Sequence, residues 1–244
     1  MKKMICSFAF LLLTGSVLLS NTIPVNGQTT IEIAHKLPVL LLPADYALLI
    51  RPLLLVILAY WIIKMRSSDF SAPLRIVLFS IACLLNAVWF PLWHYSHYAW
   101  AFTVTIVLLI TLYLLYRTYP KKRNDLAGRV PISLFLAWTI VDLVLNANYL
   151  LVFDEWSRLG LSIVLWTILN LSILAAVALH FSFHHRDGAI TAVILWVFLG
   201  IIVNVWMDEL FITLSALFLM ALMVFGYWIL SPSTVQSKSE ETLF

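Results

Sequence analysis

The chain has 244 residues, 63% hydrophobic and 11% charged, with a formal net charge of +3 at pH 7. A soluble domain carries about 45–50% apolar and about 25% charged residues, so this composition excludes a soluble globule, a disordered chain and a nucleic-acid-binding protein. The two cysteines, Cys6 and Cys83, both sit in apolar runs, which excludes a disulfide framework and a cysteine-rich metal site. An all-α integral membrane protein remains.

About 20 apolar residues cross the hydrocarbon core of a bilayer. Eight such runs follow one another, over residues 4–20, 44–63, 73–93, 98–116, 131–152, 161–181, 189–206 and 210–230. Breakers fall between them at Ser67, Ser68, Pro73, Pro120, Gly128, Pro131, Gly160 and Gly188. The short alternating segments of a β-barrel are not present. Lys2 and Lys3 before the first run also fit a signal peptide, but no clear small-x-small cleavage site stands near Ser20, and a retained helix is expected.

Charge asymmetry orients the spans. With the N-terminus in the cytoplasm, 12 of the 15 Lys and Arg residues fall inside, Lys36 and Arg158 fall outside, and Arg51 lies within a span. Both termini are then cytoplasmic, and the polar tail from Ser231 to Phe244 is expected to be loose. Lys121, Lys122 and Arg123 read as a topology anchor, with an anionic-lipid contact as the sharper alternative.

Polar groups at membrane depth are costly and need a partner or a role. Arg51 lies about 10 Å below the outer surface and Asp142 about 15 Å below it, at 1.5 Å of helix per residue. They are expected to pair, either as a structural ion pair or on the wall of a ligand cavity. The remaining reading has Arg51 snorkelling outward while Asp142 finds another donor. Trp138, Asp142 and Asn146 recur every four residues and share one helix face. Asn86, Trp89 (or Phe90) and Trp93 make a similar face on the third span. Two faces of indoles and carboxamides suit a flat, partly polar ligand. They also suit helix–helix glue, since Asn bonds across membrane helices.

Trp100, Trp156, Trp206 and Trp228 stand near span ends, where an interfacial belt places tryptophan. The histidines read as interfacial groups near helix ends; His94 and His97, which bracket a tight turn, have a haem-ligand role as the minor alternative. His180 and His184 are one helical turn apart, but no further ligand of fixed spacing accompanies them, so no metal site is assigned. No nucleophile motif, P-loop or dinucleotide fingerprint is found, and no catalytic residue is assigned.

Several stretches resemble one family. Asn86-Ala-Val-Trp89-Phe-Pro-Leu-Trp93-His94-Tyr95 is similar to the Asn-x-x-Trp-x-x-x-Trp-His-Tyr signature of bacterial tryptophan-rich sensory proteins. These are extended members of the TspO/translocator-protein (peripheral benzodiazepine receptor) family. Arg129-Val-Pro131-Ile-Ser133-Leu-Phe-Leu-Ala-Trp138 resembles their Arg-Leu-Pro-Phe-Ser-Ile-Tyr-x-Gly-Trp segment, with Asn146 at a matching asparagine. Pro24-Val-Asn26-Gly27-Gln28-Thr29-Thr30 resembles their Leu-Asn-Gly-Gln-Thr-Thr loop, and Pro43-Ala44-Asp45-Tyr46-Ala47 their Pro-Ala-x-Tyr-x-Phe start of the next helix.

The resemblance implies a helical bundle with a TspO-like five-helix core at residues 44–185. A helix at 1–20 and an outer loop at 21–43 would precede it; two extra helices at 186–230 and the tail at 231–244 would follow. It also implies membrane-embedded binding or sensing of a small hydrophobic ligand, such as a tetrapyrrole, with transport as a neighbouring reading. No cofactor is required; porphyrin or haem is the ligand class. Asn86, Trp89, Trp93, Trp138 and Asn146 become pocket residues. The bilayer and the ligand are the expected partners, a homodimer stays open, and the expected location is a bacterial plasma membrane. Porphyrin degradation, a disputed activity in this family, and a structural partner subunit are the other hypotheses.

Two charges depart from the family pattern. Ile50-Arg51-Pro52 stands where the family has Ile-Trp-Gly, and Asp142 where it has a small uncharged residue. An arginine in the cavity favours a carboxylate-bearing ligand; alternatively the pair plugs the cavity or gates a small transporter. Pro52 is expected to bend or break the start of its helix.

Overall fold

Backbone groups in hydrocarbon must be satisfied internally, which leaves a helix as the solution for each apolar run. The computed structural model describes residues 2–64, 73–120 and 125–230. In chain order its helices are α1 (Lys2–Thr22), α2 (Thr30–Ala34), α3 (Ile50–Lys64), α4 (Pro73–His94), α5 (Tyr98–Arg117), α6 (Val130–Phe153), α7 (Ile163–His185), α8 (Gly188–Val205) and α9 (Leu210–Leu230). A 3-10 turn at Asp45–Leu49 leads into α3. Ser67, Ser68, the Lys121–Arg123 cluster and the 231–244 tail lie outside the described residues.

Among the described residues, seven helices are long and apolar enough to span a membrane, α3 being counted with its 3-10 turn. The expected eighth, α1, has a shorter apolar stretch at Lys3–Leu19. It still belongs to the bundle, burying Cys6, Ala9 and Leu13 against neighbours that include α4 and α3. Large side chains such as Leu11, Phe211 and Phe218 stand on exposed faces, as they do where lipid is the solvent.

Helix ends follow their residues. Thr29 caps α2 in a reciprocal box with Glu32. Ser162 caps α7, accepting from Leu165 N at 3.2 Å. Asp187 caps α8, and Arg186 closes α7 in the left-handed conformation at φ 51°. Pro52 does not break its helix. The chain changes from 3-10 to α at Ile50, so the proline ring meets a first turn and not a helix interior.

The helix neighbours define two groups. Contacts α1–α4, α4–α5, α5–α6, α6–α3 and α3–α1 close a five-helix ring. Helices α7, α8 and α9 pack on one another, and α8 joins them to α6 and to the turn before α3. The ring takes in α1, while α7 packs chiefly with α8 and α9. A two-residue connection makes α7 and α8 antiparallel neighbours. The Ser182 and Thr191 hydroxyls meet between them at 2.7 Å.

Gly200 sets how closely α8 approaches the start of α3. Its carbonyl accepts from Ala44 N at 3.0 Å. A Cβ built on Gly200 would lie 2.8 Å from the Cβ atoms of both Ala47 and Pro43. Gly200→Ala gains about 1 kcal/mol of helix propensity against about 1–3 kcal/mol of overpacking. Overpacking wins because the opposing Cβ atoms are held by the backbone. A net loss of about 1 kcal/mol is expected in a detergent unfolding titration; an unchanged midpoint would show that the 43–47 segment yields freely.

Candidate functional site

Arg51 stands in the first turn of α3 and Asp142 in the middle of α6. The structure brings them together: Arg51 Nη2 lies 3.5 Å from Asp142 Oδ1, with the side chains 14% and 18% exposed. The guanidinium also meets two indoles, with its Cζ 5.4 Å from the Trp138 ring centroid and 5.9 Å from that of Trp89. Arg51 thus sits among one carboxylate and two aromatic faces, which is the setting expected of a cation kept within a bundle.

Asn146 stands one turn beyond Asp142 on α6. Its Oδ1 accepts from Trp89 Nε1 at 3.0 Å, while its Nδ2 donates to the Asp142 carbonyl at 2.7 Å. Asn146 is therefore glue between α4 and α6, and it also lines a cavity. Trp89 stacks on Trp93 at 5.1 Å between centroids, and Trp93 packs on Tyr149 at 4.6 Å. The Trp93 Nε1 is buried with no hydrogen-bond partner among the described residues.

Two small cavities flank the ion pair. The first is enclosed by all five ring helices; Leu13, Leu58, Asn86, Leu108 and Trp138 line it together with Arg51, Trp89 and Asp142. The second lies under the loop of residues 23–43, lined by Thr30, Leu42, Trp93, Asn146 and Tyr149 with the same Arg51, Trp89 and Asp142. All seven residues expected at the site therefore reach one cavity or the other. The pair and Trp89 form the partition between the two.

The cavities measure about 40 Å³ and about 50 Å³. A water needs about 10–15 Å³ by this kind of measure, whereas pockets enclosing a drug-sized ligand run to about 300–1,000 Å³. Each side of Arg51 has room for a few waters.

The loop closes its end of the bundle through specific bonds. His94 is buried; its Nδ1 lies 3.1 Å from the Val25 carbonyl and its Nε2 3.1 Å from Thr30 Oγ1. Both ring nitrogens are engaged by the loop, which accounts for a histidine at this turn without a haem. Asn26 Nδ2 donates to the His94 carbonyl at 3.2 Å, and Tyr149 Oη to the Ile33 carbonyl at 2.8 Å. Glu32 at the start of α2 has its carboxyl held below the usual range by the backbone N–H and hydroxyl of Thr29.

Sequence reasoning missed a second buried ion pair, at the face opposite the loop. Arg129 is 1% exposed, and its Nε lies 3.3 Å from Asp187 Oδ2. Ser133 Oγ donates to the same oxygen at 2.6 Å, and Arg129 Nη2 donates to the His185 carbonyl at 3.2 Å. The available signal was weak: Arg129 and Ser133 stand one turn apart, and Asp187 precedes a helix start. Also missed was the Asn148–Asn170 bond of 3.1 Å joining α6 to α7, with Trp166 Nε1 donating to Asn148 Oδ1 at 2.8 Å. Of the belt tryptophans, Trp100, Trp206 and Trp228 are exposed, while Trp156 packs on Trp166 at 5.1 Å.

A family model described as TSPO-like protein matches residues 3–229. No curated protein and no solved structure gives a match.

Proposed function

The chain belongs to the TSPO-like protein family, and from that premise we propose that it binds a small amphipathic, carboxylate-bearing ligand at Arg51. Membrane-embedded binding or transport is the role that the family and the spanning helices support. The observation that carries the finer reading is the Arg51 guanidinium, held between the Trp89 and Trp138 indoles on the wall shared by two cavities. A ligand carboxylate takes the place of Asp142 at Arg51, the indoles stack on its apolar body, and the buried Trp93 Nε1 donates to an acceptor on it.

Tetrapyrroles with propionate groups are the leading ligand class. Admitting one requires the two cavities to merge, with α3 parting from α6. The main packing partners of α3 are α1, α6 and the turn before it. We place the loop face outside and the arginine-rich face in the cytoplasm of a bacterial plasma membrane, following the charge asymmetry of the chain.

Tryptophan quenching of the detergent-solubilised protein by protoporphyrin IX tests this reading. Saturable quenching is expected, weakened about tenfold or more in Arg51→Ala, since a charge-assisted hydrogen bond contributes about 1.5–3 kcal/mol. Trp138→Phe should weaken it less. Quenching that does not saturate, or that is identical in both variants, removes the tetrapyrrole reading. The position of the pair between two cavities favours a second reading, in which it is the gate of a transporter. Ligand flux into proteoliposomes that stops in Asp142→Asn while binding persists would select the gate.

A further inference from the structure

A space larger than either cavity beside Arg51 lies elsewhere among the described residues. It is a cleft of about 510 Å³ at the opposite face, where the ends of α5 and α7 meet the start of α6. Arg117, Arg129, His180, His184, His185 and Tyr116 line it, and among the described residues no carboxylate does. Behind these residues Asp187 stands beside the Tyr116 hydroxyl and is bonded by Arg129, Ser133 Oγ and Ala189 N.

Cations at helix C-termini often do no more than meet the last carbonyls. Arg129 does part of that work through the His185 carbonyl. Arg117 does not; its Nη1 donates to the Tyr113 hydroxyl at 3.1 Å and its charge stays exposed. The His180 and His184 rings stand 4.4 Å apart on the exposed rim. At the base lies Tyr116, 2% exposed, its ring 5.3 Å from Arg129 Cζ and its hydroxyl without a hydrogen-bond partner among the described residues. A buried donor left unmade costs about 1–3 kcal/mol. Here it belongs to a cleft with one uncompensated arginine, two exposed imidazoles and space for a group far larger than a water.

We infer that this cleft binds a phosphate group, with the Tyr116 hydroxyl, Arg117 and the His180–His184 pair donating to its oxygens. Phosphate offers several strong acceptors and a charge, the complement of such a donor set. The cleft lies where spanning helices end, the depth of lipid headgroups, so an anionic phospholipid and a free phosphate share the required chemistry. The site is independent of Arg51.

Native mass spectrometry of the full chain, released from detergent containing phosphatidic acid or phosphatidylcholine, tests the inference. Phosphatidic acid adducts should exceed phosphatidylcholine adducts. They should fall about tenfold in Arg117→Gln/His184→Gln, as the loss of charge-assisted hydrogen bonds predicts, and less in Tyr116→Phe. Thermal unfolding and porphyrin quenching measured on the same variants separate loss of the site from loss of the fold. Inorganic phosphate binding with the same sensitivity to the variants, without a preference for phosphatidic acid, assigns the site to free phosphate. Equal adducts of both lipids together with no phosphate binding overturn the inference. So does a preference abolished by Lys121→Gln/Lys122→Gln/Arg123→Gln and untouched by Arg117→Gln/His184→Gln.

Discussion

Exchanging Arg129 for methionine is expected to lower the free energy of unfolding by about 3–5 kcal/mol, the cost of leaving one member of a buried ion pair alone. Arg129 is 1% exposed and Asp187 0%. Once the guanidinium is gone, the carboxylate keeps two neutral donors, Ser133 Oγ at 2.6 Å and Ala189 N at 3.2 Å, but has lost its cation. The His185 carbonyl also loses a donor. Asp187→Asn alone strands the arginine instead. The double variant Arg129→Met/Asp187→Asn removes both charges and should recover most of the loss, which a double-mutant cycle in a denaturing-detergent titration measures directly. The pair ties the N-cap of α6 to the α7–α8 connection, so it joins the ring to the outer three helices. Equal unfolding midpoints for Arg129→Met and the parent chain would show that the junction is held by apolar packing alone.

The spans were legible because hydrocarbon thickness leaves little choice of length. Expected 131–152 and 210–230 became Val130–Phe153 and Leu210–Leu230. The Arg51–Asp142 pair was legible for a related reason: depth can be counted along a helix, and two opposite charges at similar depth have few other partners. Which helices would be neighbours was not legible. A hydropathy run has no preferred partner, and the choice rests on local fits such as Gly200 against Pro43 and Ala47, or Ser182 against Thr191. Arg129 was read as one more inside charge, because the positive-inside pattern counts a buried arginine and an exposed one alike. Ser133 and Asp187 are 54 residues apart, so nothing local announced their bond. The residues that the resemblance marked for a pocket line the two cavities. The resemblance did not reveal how small the cavities would be, at about 40 and 50 Å³.

The Arg51–Asp142 pair gives the sharpest separation of stability from function. Asp142→Leu is expected to cost about 3 kcal/mol, the lower part of the range for a broken buried pair, because Arg51 and Asp142 keep 14% and 18% of their side-chain surface. The two indoles cannot hold the arginine by themselves. At 5.4 and 5.9 Å they lie near the 6 Å limit of such contacts and contribute about 0.5–1 kcal/mol each. Arg51→Leu should cost a similar amount, since it strands Asp142. The double variant Arg51→Leu/Asp142→Leu buries no charge and should unfold near the parent, as hydrophobic replacement of buried pairs generally permits. If the pair serves binding, that stable double variant must still fail to quench saturably with protoporphyrin IX. A double variant that is stable and binds as the parent does would make the pair a packing element and move the ligand site elsewhere. One that is unstable would show that Arg51 and Asp142 hold partners beyond each other. The two readouts respond to different terms, because stability counts the desolvation of both charges while binding counts only the donor that Arg51 presents to the cavity.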